Sequence, residues 1–350
     1  MATIVLTGGG TAGHCTPHLA LLPYLKNDFK NIYYIGSEKG LERSIIEKEN
    51  ISYYHVPCVK LSRSLSVKNL SIPFTLLSGI NKARKILKTL NPDVIFSKGG
   101  YVALPTVIAG KTLGIPVISH ESDYSMGLAN KISSKYSVKV LTAFRDTAKA
   151  CKNGEYIGSP IRKNNIPPSK KEALSYFGFS GNKPVLLVTG GSLGAKKINQ
   201  TLIEALPELL KSYDVIHLCG KGNFNENIKY KGYFQAEFLS NMQTALAVSS
   251  ICVSRAGANT LFELLSLNIP TLLIPLPKGV SRGDQVENAY YFQKLGTVSV
   301  LPQDCLTKNS LILNINATYN GRATINKHLH LHPIKDMSRQ ISRIIADCKK

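Results

Sequence analysis

Features that would assign a protein quickly to a class are missing from this sequence. Its 350 residues contain no tryptophan, and the seven cysteines are odd in number, widely spaced and without a CxxC pair. This usage argues against a disulfide framework or a zinc site and indicates a reducing cytosol. No apolar run approaches the roughly 20 residues that a membrane-spanning helix needs. The chain also enters a predicted strand at residues 2–7 without the basic region and cleavage site of a signal peptide.

Acidic residues are also scarce. The chain has 22 Asp and Glu against 43 Lys and Arg, which gives a net charge of +21. Such a charge indicates a polyanionic partner, which could be nucleic acid, an anionic membrane surface or a phosphorylated substrate. Because the basic residues are spread along the chain, with neither a zinc finger nor an RNA-recognition motif, we expect no nucleic-acid partner. The length favours two domains, and 43% apolar residues with 27 glycines are typical of α/β proteins.

In the first half, polar and glycine-rich clusters follow predicted strands. The strand at residues 3–7 enters a glycine turn at 8–14, and a helix follows from Pro17. The strand at 94–97 ends in Lys98-Gly99-Gly100-Tyr101, and the strand at 116–119 ends in His120-Glu121-Ser122-Asp123. Because parallel strands end at one edge of a sheet, we expect these clusters to converge there.

The second half repeats this pattern. Residues 156–168 carry three prolines and predict a linker. The strand at 184–189 then enters a second glycine turn at 190–195, and the sequence LTGG of the first turn is matched by VTGG. Two such turns half a chain apart predict an α/β protein with two Rossmann-like halves. A nicotinamide enzyme with Glu38 as its ribose-binding acid remains a weaker alternative.

The stretch from 251 to 288 is the most informative. It predicts a strand, a small-residue turn at 255–259, a short helix, a second strand, and another helix that begins near Asp284. The N–H groups at the tip of the first helix can bind an anion, and Asn259 is the predicted N-cap. Glu263 lies on the same helix face, where a carboxylate could hold a pair of sugar hydroxyls. An ordinary solvated glutamate is the alternative.

Eight motifs, in their order and spacing, resemble the MurG family of bacterial glycosyltransferases. They are GGGTAGH (8–14), FSKGGYVALP (96–105), GIPVISHES (114–122), GLANK (127–131), IGSPIR (157–162), GGSLGAKKIN (190–199), RAGANTLFE (255–263) and DQVENA (284–289). The resemblance implies the GT-B fold, in which two Rossmann-like parallel-sheet domains face each other across a deep cleft. It implies an acceptor- and membrane-side domain over 1–160, a UDP-sugar-binding domain over 161–335, and a final helix over 336–350 that packs back on the first domain.

The resemblance also implies an activity. Such enzymes move N-acetylglucosamine (GlcNAc) from UDP-GlcNAc to the 4-hydroxyl of N-acetylmuramic acid (MurNAc) in lipid I, with inversion and without a metal or another cofactor. The product is lipid II, the precursor of peptidoglycan. The implied location is the cytoplasmic face of the membrane, peripherally bound to an anionic surface, and contacts with other cell-wall synthesis proteins stay open. Another UDP-sugar enzyme, such as a glycolipid glycosyltransferase or an epimerase, and a non-enzymatic nucleotide-binding scaffold remain alternatives.

The site residues that the resemblance implies fall in both halves. Those expected to bind UDP-GlcNAc are Thr11, Ala12, Gly13, Arg162, Ser192, Leu193, Gly194, Phe238, Leu239, Ala258, Asn259, Thr260, Glu263 and Gln285. Inversion requires a general base on the acceptor hydroxyl. His14 at the end of the first glycine turn is the preferred candidate, with Asp123 and Glu121 as rivals.

The chain departs from the family pattern in a few places. Ala12 and Asp123 stand where many members have glycine and asparagine, and Asp284 replaces a neutral polar residue. The usual amide contact with the donor sugar can therefore not be assumed at Asp123. These departures are interpreted as those of a subtype.

Two further segments and the residue Tyr101 each have more than one interpretation. Residues 61–90 mix apolar and basic side chains, which suits either an anionic membrane surface or an ordinary amphipathic helix. His328, His330 and His332 alternate as in a strand and could bind a metal, although chance clustering is favoured. Tyr101 is expected to close the sheet edge rather than to stack on a sugar.

Overall fold

A computed structural model describes residues 2–59, 72–162, 168–191 and 194–350. The chain divides into two compact units, one formed by Met1–Arg162 with Lys335–Lys350 and the other by Lys163–Ile334. Each unit contains its own parallel sheet with helices, so the predicted α/β class with two Rossmann-like halves is confirmed.

The first unit contains a seven-stranded parallel sheet in the order β3-β2-β1-β4-β5-β6-β7. Its strands are β1 (Thr3–Gly8), β2 (Asn31–Gly36), β3 (Ser52–His55), β4 (Val94–Gly99), β5 (Val117–Glu121), β6 (Lys139–Thr142) and β7 (Gly154–Tyr156). Its helices within the described residues are α1 (Thr16–Asp28), α2 (Leu41–Glu47), α3 (Ile72–Leu90), α4 (Leu104–Thr112), α5 (Leu128–Ser134) and α6 (Arg145–Lys149), together with the chain's last helix. Strands β1 and β4 are buried along their whole length, as expected for central strands covered on both faces.

The second unit contains a six-stranded parallel sheet in the order β10-β9-β8-β11-β12-β13. Its strands are β8 (Val185–Thr189), β9 (Asp214–Leu218), β10 (Tyr233–Ala236), β11 (Ser249–Ser254), β12 (Thr271–Leu273) and β13 (Ser299–Val300). Its helices are α7 (Lys170–Phe177), α8 (Lys196–Ser212), α9 (Met242–Val248), α10 (Ala258–Ser266), α11 (Asp284–Lys294), α12 (Lys308–Asn320) and α13 (Arg322–Leu331).

Both sheets have a point at which the strand order reverses. In the first sheet it lies between β1 and β4, and in the second between β8 and β11. In open α/β sheets, ligands bind in the crevice at the carboxyl ends of the two strands that flank such a point. The topology therefore selects the turns that follow these four strands as candidate sites.

The last helix, α14 (Ser338–Asp347), packs against α1 in the first unit. Ile341 and Ile345 are completely buried in the same apolar cluster as Leu21 and Leu25. The chain thus returns to its first sheet after the second unit has been completed, and the first unit depends on residues from both ends of the sequence.

We expect Ile345→Ala to destabilise the first unit by about 2–5 kcal/mol, because it leaves a cavity in a closed core. Arg343→Ala on the exposed side of the same helix serves as the control and should change the unfolding free energy by no more than about 0.5 kcal/mol. Urea unfolding followed by hydrogen exchange, which separates the two units, measures both. Equal effects of the two substitutions would show that α14 is not part of the core.

A buried polar network ties β9 and β10 of the second sheet to α8. His217 on β9 is fully buried and lies 2.8 Å from the Tyr233 hydroxyl and 3.1 Å from Asn199 Oδ1. The Asn199 amide in turn donates to Cys219 O at 2.8 Å. Burial lowers the pKa of His217 from 6.5 to about 4, so this imidazole is neutral and serves as a hydrogen-bonding spacer.

This network predicts acid sensitivity of the second unit. Unfolded His217 takes up a proton as the pH falls below 6.5, whereas the folded residue does so only near pH 4. Stability should therefore fall between these two values, by about 3 kcal/mol at about 1.36 kcal/mol per pKa unit. His217→Asn should show a flatter unfolding free energy over this range in pH-dependent urea titrations. Parallel curves for the two proteins would contradict the assignment.

Candidate functional site

The first candidate region lies where β1 and β4 end side by side. The Gly9 N–H donates to Gly99 O at 3.3 Å, which joins the two turns through their backbones. Gly100 has a φ of +78°, and a Cβ at this position would overlap the carbonyl oxygen of Gly9. Only glycine fits there, because both the left-handed conformation and the close approach exclude a side chain.

His14 stands at the end of the first glycine turn. It closes the short 3-10 helix Ala12–His14, and its Nδ1 lies 2.9 Å from the Thr11 hydroxyl. Thr11 and Gly13 are exposed, and His14 is half-buried. The turn that was expected to meet the substrates is therefore at the surface of the first unit, beside the ends of the two central strands.

The segment after β5 is held by a buried lysine. Lys98, at the end of β4, is 2% exposed, and its Nζ lies 2.7 Å from His120 Nδ1 and 2.6 Å from Ser122 Oγ. His120 Nε2 continues this series of hydrogen bonds by donating to Gly158 O at 2.8 Å. Burial lowers the pKa of Lys98 to about 7, although the charges of Glu121 and Asp123 oppose this shift.

The two carboxylates of this segment differ in their surroundings. Glu121 is 4% exposed and accepts hydrogen bonds from the Asp123 N–H at 3.0 Å, the Gly127 N–H at 3.3 Å and the Asn130 amide at 2.8 Å. Asp123 is half-buried. The geometry of Glu121 is that of a carboxylate that orders a loop, and Asp123 is the more accessible of the two.

Glu42 on α2 is a further buried carboxylate that sequence reasoning did not single out. It is 1% exposed and accepts hydrogen bonds from the Ser37 N–H at 3.1 Å, from the Ser37 hydroxyl and from the Gly10 N–H at 3.4 Å. It therefore supports the first glycine turn from below. Lys98 lies in the motif FSKGGYVALP. A charged residue at the end of an apolar strand was the sequence signal that could have identified it as a supporting residue.

The second candidate region begins with the glycine turn after β8. Gly194 has a φ of +74°, and a Cβ there would overlap the carbonyl oxygen of Cys219 after β9. Its N–H donates to Gly191 O at 2.8 Å. The predicted ligands Ser192 and Leu193 lie outside the described residues.

Helix α10 starts at the carboxyl end of β11 without a side-chain cap. Its N-cap is Gly257, which has no side chain to cap the helix, so the prediction of Asn259 as N-cap is wrong. Asn259 is instead the second residue of the helix, between Ala258 and Thr260. An N-terminus without a capping side chain presents its first N–H groups, and the positive end of its dipole, to an anion.

The turn before α10 is fixed from two sides. Arg255 donates to Ile274 O at 2.9 Å and to Gln303 Oε1 at 2.6 Å, and burial lowers the pKa of its guanidinium. The fully buried Asn288 on α11 donates to Ala256 O at 3.1 Å. These contacts hold the tip of α10 in place, so a ligand there would meet a preorganised backbone.

Glu263 lies on α10 and Gln285 on α11 of the second unit. Glu263 is half-buried, and Gln243 donates to its Oε1 at 3.3 Å. Gln285 accepts a hydrogen bond from the Leu276 N–H on its Oε1 at 3.0 Å, which fixes the orientation of the amide group. On the neighbouring segment after β10, the Phe238 side chain is 68% exposed and Leu239 is half-buried.

Other predicted residues lie in different surroundings. Arg162 belongs to the first unit, and its guanidinium pairs with Glu49 at 3.7 Å. His328 and His330 lie on α13, so the strand-like alternation of the three histidines is wrong, and both bond backbone carbonyls. Among the described residues, no group of three histidine, cysteine or acidic side chains is arranged to hold a metal.

Comparisons with known proteins extend over the whole chain. The glycosyltransferase family 28 N-terminal domain matches residues 4–142, and the glycosyltransferase family 28 C-terminal domain matches residues 185–341. A relative from Bacillus thuringiensis (strain Al Hakam) is 45% identical over 99% of this chain and 100% of its own length. It is named UDP-N-acetylglucosamine–N-acetylmuramyl-(pentapeptide) pyrophosphoryl-undecaprenol N-acetylglucosamine transferase 3. A relative from Clostridium botulinum (strain Langeland) bears this name without the number and is 43% identical over 100% of both chains.

Solved structures share the fold. A crystal structure of MurG from Acinetobacter baumannii has a TM-score of 0.76 at 23% identity and covers 99% of this chain and 100% of that chain. The glycosyltransferase of kitacinnamycin has a TM-score of 0.73 at 14% identity and covers 99% of both chains. The predicted GT-B fold class is thereby confirmed. Together, the two domain matches and the full-length relatives show that this chain belongs to glycosyltransferase family 28.

Proposed function

We propose that this protein transfers GlcNAc from UDP-GlcNAc to the 4-hydroxyl of MurNAc in lipid I. The observation that carries the proposal is full-length identity of 43–45% to relatives named for this transfer. The site geometry supports it, because both candidate regions lie where the strand order of a sheet reverses. The second region combines a helix N-terminus that has no side-chain cap with a carboxylate on the same helix, which suits the diphosphate and ribose of a nucleotide sugar.

In this proposal the second unit binds the donor. The first N–H groups of α10, at Ala258–Thr260, would stabilise the negative charge that develops on the departing diphosphate. Glu263 would accept hydrogen bonds from the two ribose hydroxyls, and the Gln285 amide would donate a hydrogen bond to a sugar oxygen. The expected contacts of Ser192, Leu193 and Gly194 with the diphosphate stay predictions. The recognition of uracil by the segment near Phe238 and Leu239 also stays a prediction.

The first unit would bind the acceptor and supply the base. An imidazole can accept a proton on Nε2 when Nδ1 carries the hydrogen, and the Thr11 hydroxyl, 2.9 Å from Nδ1, can accept an Nδ1–H bond in that tautomer. His14 is therefore our preferred base. Glu121 is less suited to this task, because three N–H donors already bind its oxygens. Asp123 would accept a hydrogen bond from a hydroxyl of a bound sugar, and Ala12 would contact the substrate through its backbone.

Arg162 is a predicted diphosphate ligand that has a competing interaction. Its pair with Glu49 is partly exposed at both side chains, so the interaction is weak and can be replaced. We keep the prediction that it neutralises the diphosphate. No metal enters the proposed mechanism, since charge stabilisation comes from backbone N–H groups and arginine.

We also propose that the first unit attaches to an anionic membrane surface, where lipid I resides. Residues 61–71 of the candidate segment lie outside the described residues, but its remainder forms α3. Phe74 and Leu77 are 75% and 58% exposed on this helix, with Arg84, Lys85 and Lys88 exposed further along. Apolar side chains next to cations are typical of interfacial helices. No helix in the described part of the chain is long and apolar enough to cross a bilayer.

The activity is tested by following labelled GlcNAc from UDP-GlcNAc to lipid I. Glu263→Gln should raise the KM for UDP-GlcNAc by about 10- to 100-fold, because bonds to a charged acceptor are lost. His14→Ala should lower kcat by about 10²- to 10⁴-fold with little change in UDP-GlcNAc binding. Glu204→Gln and His330→Ala, at exposed positions of the second unit, are the matched controls. Absence of transfer by the wild type, or a change in the sugar of UDP-GlcNAc instead of transfer, would contradict the proposal.

Membrane attachment is tested by flotation with vesicles of anionic and of neutral lipid. The double substitution Phe74→Ser and Leu77→Ser should reduce binding to anionic vesicles at least about 10-fold, since two apolar side chains no longer enter the interface. Leu313→Ser, which is 69% exposed on the second unit, is the control. Unchanged binding of the double variant would exclude α3 as the membrane face.

A further inference from the structure

We propose that a groove between α5 and α6 of the first unit binds the peptide of the acceptor through the carboxylate groups of that peptide. The occupant is an anionic peptide attached to the sugar that receives GlcNAc. This inference rests on the proposed transfer reaction and deepens it, because it assigns a second part of the acceptor to a second part of the first unit.

The groove is a cavity of about 880 Å³ in the first unit. Cavities of about 300–1,000 Å³ are typical of sites that hold small ligands. One wall is formed by Lys131 on α5 and by Lys135 directly after it, and the other by Asp146 and Thr147 on α6. Tyr124, in the segment that follows β5, also contributes to the lining.

Hydrogen bonds hold the groove in shape. Thr147 Oγ1 donates to Tyr124 O at 2.5 Å, and the Tyr124 hydroxyl donates to Asp146 Oδ2 at 3.1 Å. Glu121 accepts a hydrogen bond at 3.3 Å from the N–H of Gly127, the N-cap of α5. Both walls are therefore tied to the end of β5 or to the segment that follows it, so an occupant would meet a preformed groove.

The groove has an excess of positive charge. Its lining includes Lys131, Lys135 and Lys152 but a single acid, Asp146. Lys135 follows Lys131 by one helical turn, a spacing at which like charges repel each other. Among the described residues, none of these three lysines forms an ion pair. An occupant with carboxylate groups is complementary to this charge and would relieve the repulsion.

The groove begins next to the proposed acceptor site. Tyr124 directly follows Asp123, which would accept a hydrogen bond from a hydroxyl of the bound sugar. Consecutive residues lie about 3.8 Å apart, so a group attached to that sugar has a short distance to the groove. An extended peptide of five residues spans about 17 Å, which is enough to run along α5 with its length of about 10 Å.

The names of the relatives state what is attached to this sugar. They describe the acceptor as N-acetylmuramyl-(pentapeptide). Because a muramyl group is an acyl group, it is joined to the amino end of the peptide and leaves the terminal carboxylate free. Ser125, Ser134 and Asn153 also line the groove, and their hydroxyl and amide groups can bond the backbone of a peptide.

An anionic lipid head group is the competing occupant, since it would meet the same lysines. The apolar side chains that we assign to the membrane, Phe74 and Leu77, lie on α3 between β3 and β4, whereas α5 and α6 follow β5 and β6. The hydroxyl and amide groups of the lining favour the peptide, because they match its alternating N–H and C=O groups.

The test compares transfer to lipid I with transfer to the same lipid carrying MurNAc without the peptide, both in neutral detergent. Lys131→Gln combined with Lys135→Gln should lower kcat/KM for lipid I by about 10-fold, because charged hydrogen-bond donors are lost. The values for the peptide-free acceptor and the KM for UDP-GlcNAc should stay unchanged. Lys111→Gln combined with Lys149→Gln removes the same charge from exposed positions of α4 and α6 outside the groove and should alter none of these values.

Titration with soluble MurNAc-pentapeptide needs no transfer and separates this inference from the proposed function. Its Kd should rise about 10-fold in the variant of Lys131 and Lys135, and the difference should shrink at high ionic strength. Equal losses with both acceptors, or an unchanged Kd, would overturn the inference. Weaker flotation of this variant with anionic vesicles, at an unchanged preference for the peptide, would also overturn it and assign the groove to a lipid head group. Weaker peptide binding without any transfer by the wild type would overturn only the proposed function.

Discussion

Close backbone contact between turns at the carboxyl edges of the two sheets is the constraint on which the rest of the structure depends. In the first unit Gly100 lies against the carbonyl of Gly9, and in the second Gly194 lies against the carbonyl of Cys219. Side chains at either position would push neighbouring turns apart. With the turns in contact, backbone N–H groups and helix tips gather at one edge of each sheet, which is the arrangement that binds phosphate.

Buried and half-buried polar side chains then fix these turns where they lie. Glu42 supports the first glycine turn, and Lys98 holds the segment after β5. Arg255 and Asn288 perform the corresponding task before α10. Each of these groups bonds backbone or side chains of neighbouring loops, so the sites are preorganised at the expense of burying charge. A strongly basic chain that buries Glu42 and Glu121 at such positions combines an attractive surface for anionic substrates with rigid binding loops.

The sequence predicted the fold class because periodic apolar runs and glycine turns are local signals. The turns after β1 and β8 and the start of α11 at Asp284 were all visible in this way. The N-cap of α10 was missed because Gly257 leaves the tip uncapped, whereas the propensity rule favours a side chain such as Asn259. The same use of local patterns assigned strand-like spacing to His328 and His330, but both residues lie within helix α13.

The supporting residues of the sites could not be predicted, because their partners are distant in sequence. Lys98 meets residues 22 and 24 positions away, and Gly10 meets Glu42 at a separation of 32. Such contacts exist only once parallel strands have aligned. The family resemblance supplied the residues that are expected to bind the substrates, while the structure adds side chains that hold the loops carrying some of them.

A crystal structure of the protein with UDP tests the central claim most directly, since the account assigns the nucleotide to the carboxyl edge of the second sheet. It predicts both ribose hydroxyls within about 3 Å of the Glu263 carboxylate, and diphosphate oxygens at a similar distance from the first N–H groups of α10. UDP bound with its ribose away from Glu263, or held by the first unit alone, would contradict it.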